Sequence, residues 1–182
     1  MNRLARTAAI TACSLTMACS APADGPSPAT SHAELTARTL MTVWESGDAS
    51  EVAELFRPDA VYDDFSNQLQ YRGIEEIAQY VGHVSRWATD LRIDVGAVHA
   101  GPAGATVEWL MSGIQDRPIP GVLGIATNRE FFVNGVTVLE LEDGLITRAA
   151  DYIDVTPLLL QLGASISLPD GEVMSQEDIG GS

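Results

Sequence analysis

The sequence contains no lysine, although it has 182 residues and a formal net charge of −15. All 10 of its basic residues are arginines, against 25 acidic residues. The absence of lysine excludes a Schiff-base lysine, a phosphate-binding P-loop lysine and a lysine general base. A strongly acidic chain is also repelled by phosphate backbones, so the composition argues against nucleic-acid binding.

Cysteine is nearly absent as well. The two cysteines, Cys13 and Cys19, both precede the main body of the chain. That body therefore has no cysteine nucleophile, no cysteine–zinc site and no disulfide bond. The three histidines are scattered without the spacing of a ligand set, so we predict no metal and no cofactor.

The N-terminal residues have the pattern of an export signal. Arg3 and Arg6 precede an uncharged, small-to-apolar run that is too short to span a bilayer as a helix. The segment Leu-Thr-Met-Ala-Cys that ends at Cys19 resembles a lipobox. We therefore predict a lipoprotein-type signal peptide over residues 1–18, lipid attachment at Cys19 and an exported protein anchored to the membrane on its extracytoplasmic side. The alternative is ordinary secretion with cleavage after Ala23.

Composition divides the rest of the chain into three parts. Residues 19–32 are rich in proline, alanine and serine, which is typical of a flexible tether. Ser31 and Glu34 fit a helix capping box, so we expect a domain over residues 33–163. Residues 164–182 turn polar and end in glycine and serine, which predicts a disordered tail.

The domain begins with helical spacing and continues with strands. Apolar residues recur at helical intervals near residues 34–46, 51–56 and 73–87. Alternating patterns and turn residues predict strands at 59–65, 91–97, 105–112, 129–141 and 145–154. This order indicates an α+β fold. In it a curved, mostly antiparallel sheet wraps around the N-terminal helices and leaves a cone-shaped internal pocket.

Five short segments resemble a known family. They lie at residues 59–64, 71–73, 107–109, 144–154 and 161–163, and they read DAVYDD, YRG, VEW, GLITRAADYID and QLG. In this order they resemble the SnoaL-like branch of the nuclear transport factor 2-like superfamily. That group includes polyketide cyclases, ketosteroid isomerases and limonene epoxide hydrolases. The resemblance covers residues 34–163 and implies a cone-shaped, cystatin-like fold, which hosts many functions and decides no activity.

The resemblance also implies site residues. Ketosteroid isomerases place a general-base aspartate at the end of the first strand, where this chain has Asp64. Epoxide hydrolases have a tyrosine at the position of Tyr62 and an aspartate on the last strand at the position of Asp151. We therefore predict Asp64 and Asp151 as catalytic residues and Tyr62 as a substrate-binding residue.

Other functional groups of the family are replaced in this chain. The Arg-x-Asp of the epoxide hydrolases falls in residues 108–111, which read EWLM. The oxyanion-hole aspartate of the isomerases falls near Thr137, and their tyrosine on the first helix falls near Leu40. Losing two such donors costs on the order of 3 kcal/mol each. The departures therefore argue against both established reactions.

Asp64 and Asp151 are the centre of the chemical hypothesis. Two carboxylates in one apolar pocket have raised and mutually split pKa values, which suits one as an acid and the other as a base. Such a pair can enolise, cyclise or hydrate a carbonyl compound without a metal or cofactor. The alternative is that strand-end carboxylates face water or pair with Arg148, which is our expectation for Asp63 and Asp154.

Further candidates for the pocket wall lie on the strands and in one loop. Trp109 and Glu108 are candidate substrate-binding residues in the middle of a strand, although Glu108 also fits an exposed edge position. The loop over residues 113–128 fits either a gate at the pocket mouth or an ordinary connection. Four aromatic residues fit either a ligand lining or the core: Trp44, Tyr80, Trp87 and Trp109. For Trp44 and Trp87 we expect the core.

Three functions fit these observations. The first is cofactor-free acid–base catalysis on a small hydrophobic molecule in the pocket. The second is a module at the cell envelope that binds such a molecule without catalysis. The third is an interaction domain that forms a homodimer through the open face of the sheet or docks on an envelope partner.

Overall fold

The computed structural model describes residues 27–179. Its first helix, α1 (Pro28–Ser46), is capped by Ser27, whose Oγ accepts a hydrogen bond from the backbone N–H of Thr30 at 3.1 Å. A serine cap followed by proline at the first helical position is a favourable helix start. The helix therefore begins before the capping box predicted at Ser31, and residues 28–32 of the predicted tether are helical.

Within the described residues, three further helices and eight strands follow α1. The helices are α2 (Val52–Leu55), α3 (Gly73–Val81) and α4 (Val155–Gln161). The strands are β1 (Phe56–Asp64), β2 (Leu69–Arg72), β3 (Ala88–Gly101), β4 (Gly104–Gln115), β5 (Arg129–Glu142), β6 (Leu145–Ile153), β7 (Ile166–Ser167) and β8 (Val173–Met174). Short 3-10 turns lie at Ala49–Glu51, Val84–Arg86 and Gln176–Asp178.

Six strands form one sheet in the order β2-β1-β6-β5-β4-β3. Neighbouring strands are antiparallel except for β1 and β6, which run parallel. The first and the last strand of this sheet, β1 and β6, are therefore neighbours, and neither lies at an edge. The predicted α+β architecture, with N-terminal helices packed on a curved and mostly antiparallel sheet, is confirmed.

Helices α1 and α3 pack on the same sheet from which the pocket is built. Helix α1 contacts β3 and β4, and α3 contacts β1. The helix α1 ends at Gly47, which has a φ of +65° and where a Cβ would lie 2.6 Å from Ser85 Oγ. Only glycine meets both conditions without strain. The buried face of α1 consists of Ala33, Thr36, Ala37, Leu40, Met41, Val43 and Trp44.

The segment after α4 has regular structure, whereas the sequence predicts a disordered tail from residue 164. Strands β7 and β8 form a two-stranded hairpin. The turn that follows is closed by a reciprocal capping box between Ser175 and Asp178. At the end of α4, the side-chain amide of Gln161 exchanges two hydrogen bonds of 2.8 Å with the backbone of Phe132. These bonds satisfy the backbone N–H and C=O of Phe132, which lies in the part of β5 that does not pair with β6.

Residues 1–26 lie outside the described part of the chain, and with them the predicted signal peptide and the predicted lipid attachment at Cys19. Among the residues that the structure does describe, no helix is both long enough and apolar enough to cross a bilayer.

Candidate active site

Alternation along β1 sends its last residues to opposite faces of the sheet. Tyr62 and Asp64 are two residues apart, so they share the inner face, where both are buried. Asp63 points to the outer face and forms an ion pair with Arg148, with an N–O distance of 2.8 Å. This pairing is the role predicted for Asp63, and it leaves Asp64 as the carboxylate of the inner face.

The strand register brings the second predicted aspartate beside the first. Strand β6 runs parallel to β1, and Asp151 is the Cα partner of Asp64. On its other side, Asp151 is the partner of Thr137 in β5. Each of the two aspartates is only 2% exposed. The structure therefore places Asp64 and Asp151 side by side on adjacent strands.

Three hydroxyl groups hold the carboxylate of Asp151. Tyr62 and Thr137 donate to its Oδ1 at 2.9 and 2.6 Å, and Tyr80 donates to its Oδ2 at 3.2 Å. None of the ion pairs within residues 27–179 includes this carboxylate. Oδ2 accepts a single hydrogen bond and so keeps a lone pair for another proton donor.

Two tryptophans fix the direction of these hydrogen bonds. Trp44 Nε1 donates to the Tyr62 hydroxyl at 3.1 Å, and Trp109 Nε1 donates to Thr137 Oγ1 at 2.9 Å. An indole N–H can only donate, so each of these hydroxyls accepts from a tryptophan and gives its own proton to Asp151. Two short chains of donors therefore end on one carboxylate.

A glycine makes room for the indole of Trp109. Gly135 on β5 is its cross-strand partner on β4. A Cβ at residue 135 would lie 2.2 Å from the indole ring. Any larger residue would therefore push Trp109 away from Thr137, so Gly135 belongs to the support of the site.

Burial and hydrogen bonding act in opposite directions on Asp151. Removal from water raises its pKa by disfavouring the charged form, and the nearby Asp64 carboxylate raises it further. The hydroxyl donors Thr137, Tyr62 and Tyr80 lower it. The balance raises the pKa of Asp151 from 3.8 to about 7. Burial and the Asp151 charge also raise the pKa values of Tyr62 and Tyr80, so both stay protonated as donors at neutral pH.

Asp64 has a different environment from Asp151. Its Oδ1 accepts the backbone N–H of Asn67 at 3.1 Å, and its Oδ2 accepts the side-chain amide of Asn67 at 2.7 Å. It is thus held by two N–H donors from one turn residue rather than by hydroxyl groups. Burial, and after it the charge of Asp64, raise the pKa of Tyr71. The charge of Asp64 therefore favours the protonated form of the Tyr71 hydroxyl.

Both aspartates line an internal cavity of about 510 Å³. This volume is typical of small-molecule sites, as is a mostly apolar wall with a few polar groups. The four aromatic candidates belong to both the core and the lining, because their side chains are buried and also contact the cavity. The aromatic part of the wall consists of Trp44, Tyr71, Tyr80, Trp87 and Trp109.

The loop between β4 and β5 forms another part of the wall. Its residues Ile119, Pro120 and Val122 line the cavity. The buried side chain of Gln115 ties the base of this loop, because its Oε1 accepts both the backbone N–H and the hydroxyl of Thr127 at 2.6 Å. The loop is therefore more than a connection, since it closes one side of the cavity.

The predicted substrate-binding residues separate in the structure. Trp109 lines the cavity. Tyr62 is fully buried, donates a hydrogen bond to Asp151 and does not line the cavity. Glu108 is exposed on the outer face, because adjacent residues of a strand point to opposite faces and Trp109 takes the inner one. This placement corrects the assignment of Glu108 to the pocket, and Asp154 is exposed as well.

Several site residues were not among the predicted ones. Thr137 donates the shortest hydrogen bond to Asp151, and Asn67 holds Asp64. Trp87, which the sequence left between lining and core, lines the cavity, and its indole N–H is buried without a partner, the one such side-chain atom within residues 27–179. In the same part of the chain, no cluster of three His, Cys, Asp or Glu side chains is arranged to hold a metal ion.

The sequence profile of the SnoaL-like domain matches residues 37–149, which is more than half of the 182 residues. This chain belongs to the SnoaL-like domain family. The matched range includes Tyr62, Asp64 and Thr137, and it ends just before Asp151. No curated protein has a sequence that matches this SnoaL-like chain.

Solved structures share the nuclear transport factor 2-like fold of this SnoaL-like protein. A candidate SnoaL-like polyketide cyclase from Jannaschia sp. CCS1 has a TM-score of 0.69 at 20% identity, over 77% of this chain and 97% of that chain. TsrD from Streptomyces laurentii has a TM-score of 0.63 at 24% identity, over 74% and 96% of the two chains. These likenesses establish the fold and leave the activity open.

A third structure of this fold was solved with a small molecule. It is a hypothetical protein with a ketosteroid isomerase-like fold from Catenulispora acidiphila DSM 44928, in complex with trimethylamine. It has a TM-score of 0.60 at 20% identity, over 70% of this chain and 92% of that chain. This structure extends the comparison from polyketide cyclases to ketosteroid isomerase-like proteins.

Proposed function

We propose that this SnoaL-like protein binds a small, mostly apolar molecule in its cavity and moves a proton on that molecule with Asp151. The main support is Asp151 itself, a carboxylate of 2% exposure on the wall of an apolar cavity, whose pKa is raised to about 7. Burying such a group costs stability. Strongly perturbed carboxylates that line a cavity are typical of functional sites.

The proposed chemistry is general acid–base catalysis. The Oδ2 atom of Asp151 accepts a proton from a carbon next to a carbonyl group, and the electron pair of that C–H bond moves into an enolate. Return of the proton to another carbon isomerises the molecule, whereas attack of the enolate on a second carbonyl closes a ring. Tyr71 and His83 also line the cavity, and their O–H and N–H groups are candidate donors to the enolate oxygen.

The relatives support a small-molecule occupant. One structural neighbour is described as a candidate polyketide cyclase, and another contains trimethylamine. Binding without turnover is the second candidate function, because three hydroxyl donors also satisfy a carboxylate that only holds the strands together. The effect of replacing Asp151 on proton transfer separates the two candidates.

The binding half of the proposal is tested with N-phenyl-1-naphthylamine, a neutral apolar probe that fluoresces when it leaves water. The full chain is expected to bind this probe. The variant Ile93→Trp, which places a large side chain on the cavity wall, is expected to lose most of the signal. Asp94→Trp is the matched control, because Asp94 is exposed on the other face of the same strand. Equal binding by Ile93→Trp and the wild type would place the probe outside the cavity and contradict the proposal.

We also propose that the protein is exported and anchored through a lipid on Cys19, on the strength of its N-terminal sequence. In a bacterial host fed a clickable palmitate analogue, the wild type and Cys13→Ser are expected to become labelled. Cys19→Ser is expected to remain unlabelled. Label that persists in Cys19→Ser would contradict attachment at that residue. An unlabelled wild type in the culture medium would support ordinary secretion instead.

A further inference from the structure

The cavity carries negative charge that no described cation balances. Asp64 and Asp151 line it, and its wall contains no arginine within residues 27–179. The ion pairs of that part of the chain include neither aspartate. His83 also lines the cavity, but burial, followed by the charge of Arg86, lowers the pKa of His83 and favours its neutral form. An anionic ligand is therefore repelled from this cavity.

Aromatic rings line the same cavity as Asp64. Tyr71 and Tyr80 stack with their ring centroids 4.3 Å apart, and Trp44 meets Tyr80 edge-on at 4.9 Å. The charge of Asp64 is among the causes that raise the pKa values of both tyrosines, so both rings lie within reach of its field. Aromatic π systems attract cations, most strongly where water is excluded.

We propose that the ligand of this cavity carries a cationic amine, which binds between the carboxylate of Asp64 and the rings of Tyr71, Tyr80 and Trp44. The inference rests on the proposed function and assigns different roles to the two aspartates. Asp151 moves a proton on the ligand, whereas Asp64 holds the ammonium group. A purely neutral ligand would instead displace water from a buried carboxylate and leave it without a counter-charge.

The position of Asp64 suits a fixed anchor. Its two oxygens each accept an N–H of Asn67, so the turn after β1 holds the carboxylate in one orientation. Donation by N–H groups stabilises the charged form of a carboxylate. Asp151 lacks such donors and is held by hydroxyl groups. Asp64 is thus fixed by N–H donors that leave its orientation little freedom, whereas Asp151 is held by hydroxyl groups alone.

A matched pair of probes tests this inference on the full chain. Benzyltrimethylammonium and neopentylbenzene have the same shape and differ in that a positively charged nitrogen replaces a carbon. Binding is followed by tryptophan fluorescence, because Trp44 and Trp109 line the cavity. We expect the cation to bind at least about tenfold more tightly than the neutral probe. Asp64→Asn should lower the affinity for the cation about tenfold and change that for neopentylbenzene less than about twofold.

The neutral probe also shows whether a variant is folded, since it needs the same cavity without the charge. Asp63→Asn is the matched control, because this neighbouring carboxylate faces outward and pairs with Arg148. It should bind both probes like the wild type. Equal affinity for the two probes, or unchanged cation binding by Asp64→Asn, would overturn the cationic ligand but leave the proposed function intact. If neither probe binds the wild type, the inference and the binding half of the proposed function both fail.

Discussion

Replacing Asp151 with asparagine is expected to slow a base-catalysed proton abstraction in the cavity by about 10²- to 10⁴-fold. A suitable probe is 5-nitrobenzisoxazole, which needs one base and no knowledge of the natural substrate. Removal of its ring C–H proton breaks the N–O bond and leaves a nitrile and a coloured phenolate. Asparagine keeps the size of the side chain, but its amide cannot accept the proton.

The pH dependence of this reaction gives the prediction a second, independent readout. The wild-type rate should rise with pH and reach half of its maximum at about pH 7, because the pKa of Asp151 is raised to about 7. Asp63→Asn, whose carboxylate pairs with Arg148 on the outer face, should retain the full rate. If Asp151→Asn is as fast as the wild type, or if the rate is flat from about pH 5 to 9, Asp151 is not the base. The proposed proton transfer by Asp151 would then fail, and binding without turnover would be the remaining candidate.

The fold could be predicted because its pattern is repeated over many residues. Helical spacing in the first part and alternation in the second indicate an α+β fold, and the order of the segments carries the resemblance to the family. The same alternation places Tyr62 and Asp64 on one face of β1, as observed. It also separates Glu108 from Val107 and Trp109, so the exposed position of Glu108 was readable from its own strand.

The partner of Asp151 could not be predicted from the hairpin that joins β5 and β6. Its Asp-Gly turn pairs Glu142 with Leu145, and a regular ladder from that pair would put Thr137 opposite Ala150. An irregularity in the register after Glu140 shifts the pairing by one residue, so Thr137 lies opposite Asp151. A one-residue shift changes the face of every later side chain relative to its partner strand. The main hydroxyl donor of the site therefore depends on a local irregularity.

Other differences arise where the local signal is short or has a competitor. Strand β2 was not predicted, because it is only four residues long and its residues are mostly exposed. It exists through its pairing with β1, which is a tertiary contact. At the N-terminus, Ser27 followed by a proline offers an earlier helix start than the capping box at Ser31. Asn67 belongs to the turn between these strands, so its contact with Asp64 depends on that turn's shape.

The free energy of unfolding is expected to fall as the pH rises from about 4 to about 7, through the contribution of Asp151. In the unfolded chain its pKa has the ordinary value of 3.8, and in the folded protein it is about 7. Between these values the folded state holds a proton that the unfolded state has lost, so raising the pH favours unfolding. The stabilisation that the bound proton gives to the folded state is lost above about pH 7. The difference between the two pKa values corresponds to a change in the free energy of unfolding on the order of 4 kcal/mol.

Urea denaturation of the wild type and Asp151→Asn at several pH values measures this contribution. Other groups titrate in the same range, so the relevant quantity is the difference between the two proteins at each pH. Asp151→Asn should gain several kcal/mol relative to the wild type between about pH 4 and 8. For Asp154→Asn, a control at an exposed aspartate, the difference from the wild type should not change over this range. A constant difference for Asp151→Asn would mean that Asp151 is ionised throughout in the native protein. Burial of Asp151 lowers the stability of the folded protein at neutral pH and also gives this base a pKa near 7. A constant difference in stability would therefore also contradict the predicted pH profile of the reaction rate.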